Sequence, residues 1–280
     1  MRILITGAAG MLGRDVEAAA RAAGHETVAL SRAELDITAA ADVDGAVFEV
    51  RPEVVVNCAA YTNVDGAEAD EALALAVNGE GAGHVARAAT AAGAWTVQVS
   101  TDYVFDGDNS TPYFESDPVG PRSAYGRTKL AGERAVAGLA PATHTVVRTA
   151  WLFGLGGPCF PATILRLAAE RDELSVVDDQ VGCPTFTGHL APALVKLATS
   201  RRVPGVAHIA GGGRCSWFQF AREIVARGGV ECEVKPCTTA EFPRPAARPA
   251  FSVLASERGE AVPRLPDWEL GLIEFIAGRG

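Results

Sequence analysis

The chain has 280 residues, is 48% hydrophobic and 21% charged, and carries a formal net charge of −9 at neutral pH. These proportions describe an ordinary globular protein, long enough for one large domain or two unequal ones. The acidic balance argues against a nucleic-acid partner but not against an anionic small molecule, which helix N-termini and a few arginines hold on acidic proteins too. With no signal peptide and no apolar run of about 18 residues, a soluble cytoplasmic protein without a membrane partner is expected.

In chain order, a strand over Arg2–Thr6 leads into a helix over Met11–Ala23, then a strand over Thr27–Leu30 and a helix over Ala39–Val50. A third strand, Val54–Asn57, precedes one long helix over Ala69–Ala92, a fourth strand over Trp95–Ser100, a helix carrying Tyr125 and Lys129, and a fifth strand over Thr145–Thr149. Strands read as continuous apolar runs that alternate with helices predict an α/β, doubly wound parallel sheet (Rossmann type) with right-handed crossovers. After about Trp151, Pro and Gly become frequent, and short strands (Ser175–Val177, Val206–Ile209) mix with helices (Thr163–Arg171, His189–Thr199, Phe218–Arg227). The expectation is a dinucleotide-binding domain over 1–150 and a smaller, irregular α/β substrate domain over 151–280, with segments returning to the first sheet. Six cysteines form no CxxC pair, so they read as free thiols in a reducing compartment and no structural metal is expected.

Gly7, Gly10 and Gly13 directly follow the first strand and open the first helix. Glycines there permit a tight turn, close approach to a pyrophosphate and close helix-strand contact, with Met11 and Leu12 on the first turn facing the anion. The second strand ends Leu30-Ser31-Arg32, with Glu34 and Asp36 only later. A hydroxyl and a guanidinium in place of a carboxylate suit a ribose 2′-phosphate, hence NADPH, with NADH possible; Arg32 as a solvated loop charge is the alternative. Asp36 and Ile37 lie where an adenine would bind, although Asp36 also suits an N-cap of the next helix. Ala59, Ala60 and Tyr61 end the third strand with small residues that let backbone lie against a cofactor. Asn78 either supports that cofactor or bonds the backbone after a strand.

Tyr125 and Lys129 are four residues apart and share one helical face. An ammonium beside a phenol favours the phenolate and would lower the tyrosine pKa toward the working pH. Such a tyrosine can protonate an alkoxide as it forms. Thr101 stands at the carboxyl end of the fourth strand, where a side chain faces the ligand crevice of a doubly wound sheet. Glycine loop, hydroxyl, tyrosine and lysine together predict hydride transfer to a carbonyl.

Thr101, Tyr125 and Lys129 in this order resemble the catalytic set of the extended short-chain dehydrogenase/reductase superfamily. The segments Ala59–Asp65, Ser100–Gly107, Tyr125–Glu133, Arg148–Trp151 and Asp179–Thr185 narrow the resemblance to the dTDP-4-dehydrorhamnose reductases, over nearly the whole chain. That resemblance implies that NAD(P)H delivers hydride to the C4 ketone of a dTDP-4-keto-6-deoxy-L-hexose. It implies that Thr101 polarises the keto oxygen, Tyr125 protonates it, and Lys129 tunes Tyr125 and holds the nicotinamide ribose. Val64, Asp102, Tyr103 and Trp151 match positions around the sugar; Trp151 as ordinary core packing is the alternative. Arg248 either holds the diphosphate or makes a surface ion pair.

Two departures from the family pattern carry expectations of their own. Relatives that dimerise around magnesium use acidic residues of which only Asp15 has a counterpart, because the segment after Pro184-Thr185 reads Phe186-Thr187-Gly188-His189. A monomer or a metal-independent homodimer is therefore expected. Phe251 replaces the polar residue often found in the late Arg-Pro block. Two other activities share much of this pattern: a sugar-nucleotide dehydratase or epimerase, and a non-catalytic NADP-binding subunit like the regulatory subunit of methionine adenosyltransferase. Tyr103 stands where a dehydratase carries glutamate, and an intact Thr101, Tyr125 and Lys129 favours an enzyme.

Overall fold

Strands at the centre of this molecule are nearly pure runs of Val, Ile and Leu because helices cover both faces of the sheet they form. The computed structural model describes residues 1–279. Its first half runs β1 (Arg2–Thr6), α1 (Met11–Ala22), β2 (Glu26–Leu30), α2 (Ala40–Val50), β3 (Val54–Asn57), α3 (Val64–Ala69), α4 (Glu71–Leu75), a π-helical turn (Ala76–Gly81), α5 (Ala82–Ala91), β4 (Trp95–Thr101), α6 (Ala124–Leu139) and β5 (His144–Thr149). The second half runs β6 (Leu152–Phe153), α7 (Phe160–Glu170), β7 (Glu173–Val177), β8 (Val181–Gly182), β9 (Thr185–Phe186), α8 (Thr187–Thr199), β10 (Gly205–His208), β11 (Cys215–Ser216), α9 (Trp217–Gly228), β12 (Glu233–Cys237) and α10 (Trp268–Ala277).

The main sheet has the order β10-β5-β4-β3-β1-β2, with every pairing parallel. The chain passes from β1 to β2 on one side and then crosses to β3 on the other. A crevice therefore opens beyond the carboxyl ends of β1 and β3, where ligands bind in such sheets. Two large apolar cores result. One joins β1, β3 and β4 to α1 and α8 through Ile3, Ile5, Val16, Leu190 and Leu194. The other joins α7, α9 and α10 through Leu165, Phe220, Ile224, Leu272 and Phe275. The segment α8–β10 thus belongs to the first core, although it lies late in the chain.

The single helix expected over Ala69–Ala92 is three pieces. Asp70 accepts from the Leu73 amide (2.9 Å) and starts α4, and a π-turn separates α4 from α5. Composition gives the reason. A Cβ on Gly81 would fall 2.8 Å from Ile37 Cγ1, and Gly132 of α6 leaves room for the Asn78 carbonyl. Two close approaches within one turn favour a widened helix there. Helix α3 was not expected; Asn63 caps it by accepting from the Gly66 amide (2.9 Å).

Candidate active site

The glycine loop forms because β1 must turn under β3. Gly7 adopts φ +68°, and a Cβ there would fall 2.6 Å from the Ala59 nitrogen. A Cβ on Gly13 would fall 2.5 Å from the Gly7 carbonyl oxygen, so α1 sits directly on the loop. Helix α1 starts at Gly10 with no side-chain cap, and the amides of its first turn, Met11 and Leu12 among them, have no side-chain acceptor there. A cradle that any side chain would fill, above an uncapped helix N-terminus, fits a pyrophosphate. Ala59 and Ala60 line its far side, both partly open.

The adenosine end differs from expectation. A carboxylate does stand at the tip of β2: Glu34 accepts from both the amide (2.8 Å) and the hydroxyl (2.7 Å) of Ser31, and those bonds hold its pKa below the usual range. The turn Ser31–Glu34 folds the acid back, so linear distance from the strand was misleading. Arg32 is exposed and reaches Asp36 only at 3.8 Å. Asp36 does not cap α2. Its Oδ1 accepts from the amide (3.0 Å) and hydroxyl (2.8 Å) of Thr38, and Ala39 stands at the N-cap instead. Ile37 is 3% exposed and packs in the core, leaving only its backbone for a ligand.

Asn78 serves the protein rather than the crevice. Within the π-turn it accepts from the Tyr61 amide (2.9 Å) and donates to the Tyr61 carbonyl (3.1 Å) and the Thr128 hydroxyl (3.2 Å). Thr128 in turn donates to the Tyr125 carbonyl (2.9 Å). The wall Ala59-Ala60-Tyr61 and the helix bearing Tyr125 and Lys129 are thereby one rigid unit.

Helix α6 begins at Ser123, which accepts from the Gly126 amide (3.1 Å), and Gly126 permits contact with the Tyr103 carbonyl. This seats Tyr125 edge-on to Tyr103, with ring centroids 5.6 Å apart. Thr101, at the end of β4, has its hydroxyl 3.0 Å from Asp102 Oδ1 and accepts from the Tyr103 amide at 3.2 Å. Burial and the charge of Asp102 push the Tyr125 phenol up to about 12, against a hydrogen bond with Thr101 that pulls it down. Lys129 is not among the groups that move it, which corrects the expected tuning. Its ammonium donates to the Val99 carbonyl (2.7 Å), and burial lowers it to about 8 while the Glu133 carboxylate pushes it back up.

Behind Lys129 lies a polar ladder that crosses the sheet. Thr6 donates to Asn57 (2.6 Å), Asn57 to Gln98 (2.7 Å) and Gln98 to the Val99 carbonyl (2.9 Å). One turn further along α6, Glu133 makes a buried fork with Arg148, at 3.0 and 2.7 Å, and accepts from Ser100 at 2.5 Å. Sequence reasoning missed this set. Its signal was single polar residues inside otherwise apolar strands.

Val64, Tyr103 and Trp151, the residues expected around the sugar, are each partly open. Trp151 holds φ +47°, an unusual conformation for a bulky residue, above Gly182, where a Cβ would collide with the indole. Trp217, not anticipated, stacks on it with centroids 3.4 Å apart and planes within 3°. Arg248 is neither free nor a simple surface pair: it shares Asp65 with Arg244, at 2.6 and 2.5 Å. It also faces the Tyr103 phenol, which it pulls down against burial. Phe251 extends the bridge to Val181, and its amide donates to the Gly107 carbonyl (3.1 Å). Asp15 is partly exposed on α1, and His189 meets a carboxylate after all: Glu274 of α10 lies 3.0 Å from its Nε2.

A doubly wound sheet, a glycine cradle at its switch point, and Thr101, Tyr125 and Lys129 at its carboxyl edge define an extended short-chain dehydrogenase/reductase fold. The family model described as RmlD substrate binding domain matches residues 1–279. The chain belongs to that family, the dTDP-4-dehydrorhamnose reductases. A Streptomyces griseus protein of that name is 48% identical over 98% of this chain and 92% of its own length. The Clostridium acetobutylicum dTDP-4-dehydrorhamnose reductase structure superposes with a TM-score of 0.95 at 44% identity, covering 100% of this chain and 99% of that one. The Bacillus anthracis dTDP-4-dehydrorhamnose reductase, solved in complex with NADP, gives 0.95 at 39% identity over 99% of both chains.

Proposed function

We propose that the chain is a dTDP-4-dehydrorhamnose reductase that converts its substrate to dTDP-L-rhamnose with NADPH. The observation that supports this is Thr101 at the end of β4 within hydrogen-bonding reach of Tyr125 on α6, with Lys129 on the same helix and a glycine cradle at the end of β1. Reduced nicotinamide, when bound, supplies the hydride. Gly7, Gly10, Met11, Leu12 and Gly13 hold its pyrophosphate, Ser31 and Arg32 the adenosine ribose, and Lys129 the ribose beside the nicotinamide. Tyr125 donates its proton to the C4 oxygen as negative charge develops there, and Thr101 hydrogen-bonds the same oxygen. A phenol raised to about 12 is neutral at working pH and keeps the proton it must give. Val64, Tyr103 and Trp151 enclose the deoxysugar, for which an indole offers a flat apolar face. Arg248 meets the diphosphate, which competes with Asp65 for the same donors.

In this reading residues 1–150 and the returning α8–β10 segment hold the cofactor, and the rest of 151–280 holds the sugar nucleotide. The protein acts in the cytoplasm as a monomer or metal-independent homodimer. No helix among the described residues is long and apolar enough to cross a membrane. The test is incubation with dTDP-4-keto-6-deoxyglucose, a 3,5-epimerase and NADPH, with the sugar identified by NMR. Stoichiometric NADPH oxidation and dTDP-L-rhamnose are expected. A dehydratase would recycle its cofactor and a binding subunit would consume none; either result overturns the assignment.

A further inference from the structure

The hydroxyl of Thr101 has one proton to give and is asked for it twice. As an acceptor it is already used by the Tyr103 amide at 3.2 Å, and Asp102 Oδ1 lies 3.0 Å away. If Asp102 is a carboxylate, it can only accept, so it takes the single Thr101 proton. Thr101 then has nothing to offer the ketone oxygen. If Asp102 is a carboxylic acid, it donates from Oδ1 to the second lone pair of Thr101 in place of the Tyr125 phenol, which is also within reach of Thr101, so the Thr101 proton points to the substrate and Tyr125 keeps its own proton for the ketone. We infer that Asp102 works as a neutral carboxylic acid that donates to Thr101 and thereby turns the Thr101 hydroxyl toward the substrate ketone. Asp102 is a positioning residue in this arrangement, and the inference rests on the reduction proposed above.

The surroundings of Asp102 shift it toward the neutral form. The side chain is 1% exposed. The ionisable groups that face it are Tyr103 beside it, Tyr125 on α6 and Cys183 in the loop after β8, all raised by burial and by its charge. Arg248 acts on Tyr103 and Arg214 on Cys183, yet among the described residues no cation lowers Asp102 itself. Burial raises it to about 6, against hydrogen bonds from Ser252, Thr101 and the backbone amides of Asp102 and Tyr103 that pull down. The Ser252 contact is poorly aligned: Asp102 Oδ2 and Ser252 Oγ are both buried without a well-formed hydrogen bond among the described residues. A carboxylate with one oxygen so placed is costly, and the Oδ1 contact is the one through which Asp102 and Thr101 share a single proton. Neutrality also removes the negative charge that makes Tyr125 a weaker acid. NADPH and a sugar diphosphate are both anionic, so their arrival raises Asp102 further.

The sign follows. The protonated form is present below the raised pKa and is lost as pH rises through it. In the wild type, kcat/KM for the sugar should fall above about pH 6, or higher once NADPH is bound, by up to tenfold per unit. Asp102→Asn supplies a permanent donor. It should keep activity within about threefold of the wild-type plateau and stay level until Lys129 loses its proton near 8. Asp102→Leu should lose roughly 10²-fold at every pH, and Thr101→Val should lack the Asp102 limb. Infrared difference spectra of the wild type across the limb should show a carboxylic acid band that Asp102→Asn lacks. Inactivity of a folded Asp102→Asn, full activity of Asp102→Leu, or an Asp102 limb that survives in Thr101→Val overturns the inference. If the wild type reduces no dTDP-sugar at any pH, the function proposed above falls instead, while the infrared band still reports the Asp102 proton.

Discussion

Replacing Glu133 by Gln separates the architecture of the site from its chemistry. Glu133 and Arg148 have side chains only 6% and 5% exposed, and their fork is completed by the Ser100 hydroxyl. The substitution keeps the shape and removes the charge, so a buried guanidinium loses its counterion. Breaking a buried pair from one side costs about 3–5 kcal/mol. At roughly 2–4 °C per kcal/mol for a chain approaching this size, the midpoint of thermal unfolding should fall by about 6–20 °C. Replacing both partners by apolar residues, Glu133→Leu with Arg148→Met, should recover most of the loss, because neither charge is then stranded. The kinetic sign is independent of the stability. The Glu133 carboxylate raises Lys129 against the burial that lowers it to about 8. Without it, Lys129 loses its proton at lower pH, and the alkaline fall in kcat assigned to Lys129 moves the same way. Circular dichroism melts and pH-rate profiles on folded protein at low temperature measure the two effects. A melt within about 2 °C of wild type, or an alkaline limb that stays in place, would refute the reasoning.

Tyr125→Phe should lower kcat by about 10²–10⁴-fold with little change in NADPH affinity measured by fluorescence titration, and near-full activity would remove tyrosine from the acid role. Arg32→Ala should erase a preference for NADPH of about tenfold in kcat/KM, whereas Glu34→Gln should widen it by removing the carboxylate bonded to Ser31. Equal use of NADH and NADPH by the wild type would contradict that reading. EDTA should change neither turnover nor elution volume in size-exclusion chromatography. Dissociation or inactivation would instead point to a metal between carboxylates such as Asp15 and Glu274.

Elements that the sequence marks twice, by pattern and by punctuation, fall where expected. β1 and β3 match to the residue, since each is an apolar run ended by a polar or glycine signal. Helix α6 was legible from the spacing of Tyr125 and Lys129, but its Ser123 cap was not read. The two-residue strands β6, β8, β9 and β11 carry no readable periodicity. Strand β12 holds Pro236 and two charges, and its partner β7 lies far off in sequence. Helix α10 escaped because Leu270 and Ile273 stay exposed, so its apolar residues trace no single face. The candidate site residues stand out in the sequence because their chemistry names them; their supports do not. Glu133 and Arg148 read as ordinary helix and strand charges, Trp217 as one aromatic among several, and Ser252 as a loop hydroxyl. Only the fold brings each to its partner.

The same distinction explains how an acidic chain can receive two anionic ligands. Several cations around the candidate site are already engaged: Lys129 with the Val99 carbonyl, Arg148 with Glu133, and Arg244 and Arg248 with Asp65. Burial opposes ionisation of Asp65, but hydrogen bonds from Arg248 and Arg244 prevail and hold it well below the usual range. In the proposed reading, a diphosphate arriving there would exchange one anion for another on guanidinium groups already oriented. Such an exchange requires less reordering of long side chains than recruiting free arginines from solvent. It would also tie affinity to the geometry of Asp65, which α3 positions next to Val64. Asp102 completes the pattern by contrast. It adjoins Thr101, no cation among the described residues lowers it, and burial shifts it toward the neutral form, so the charge that would most hinder an alkoxide there is the one that burial weakens.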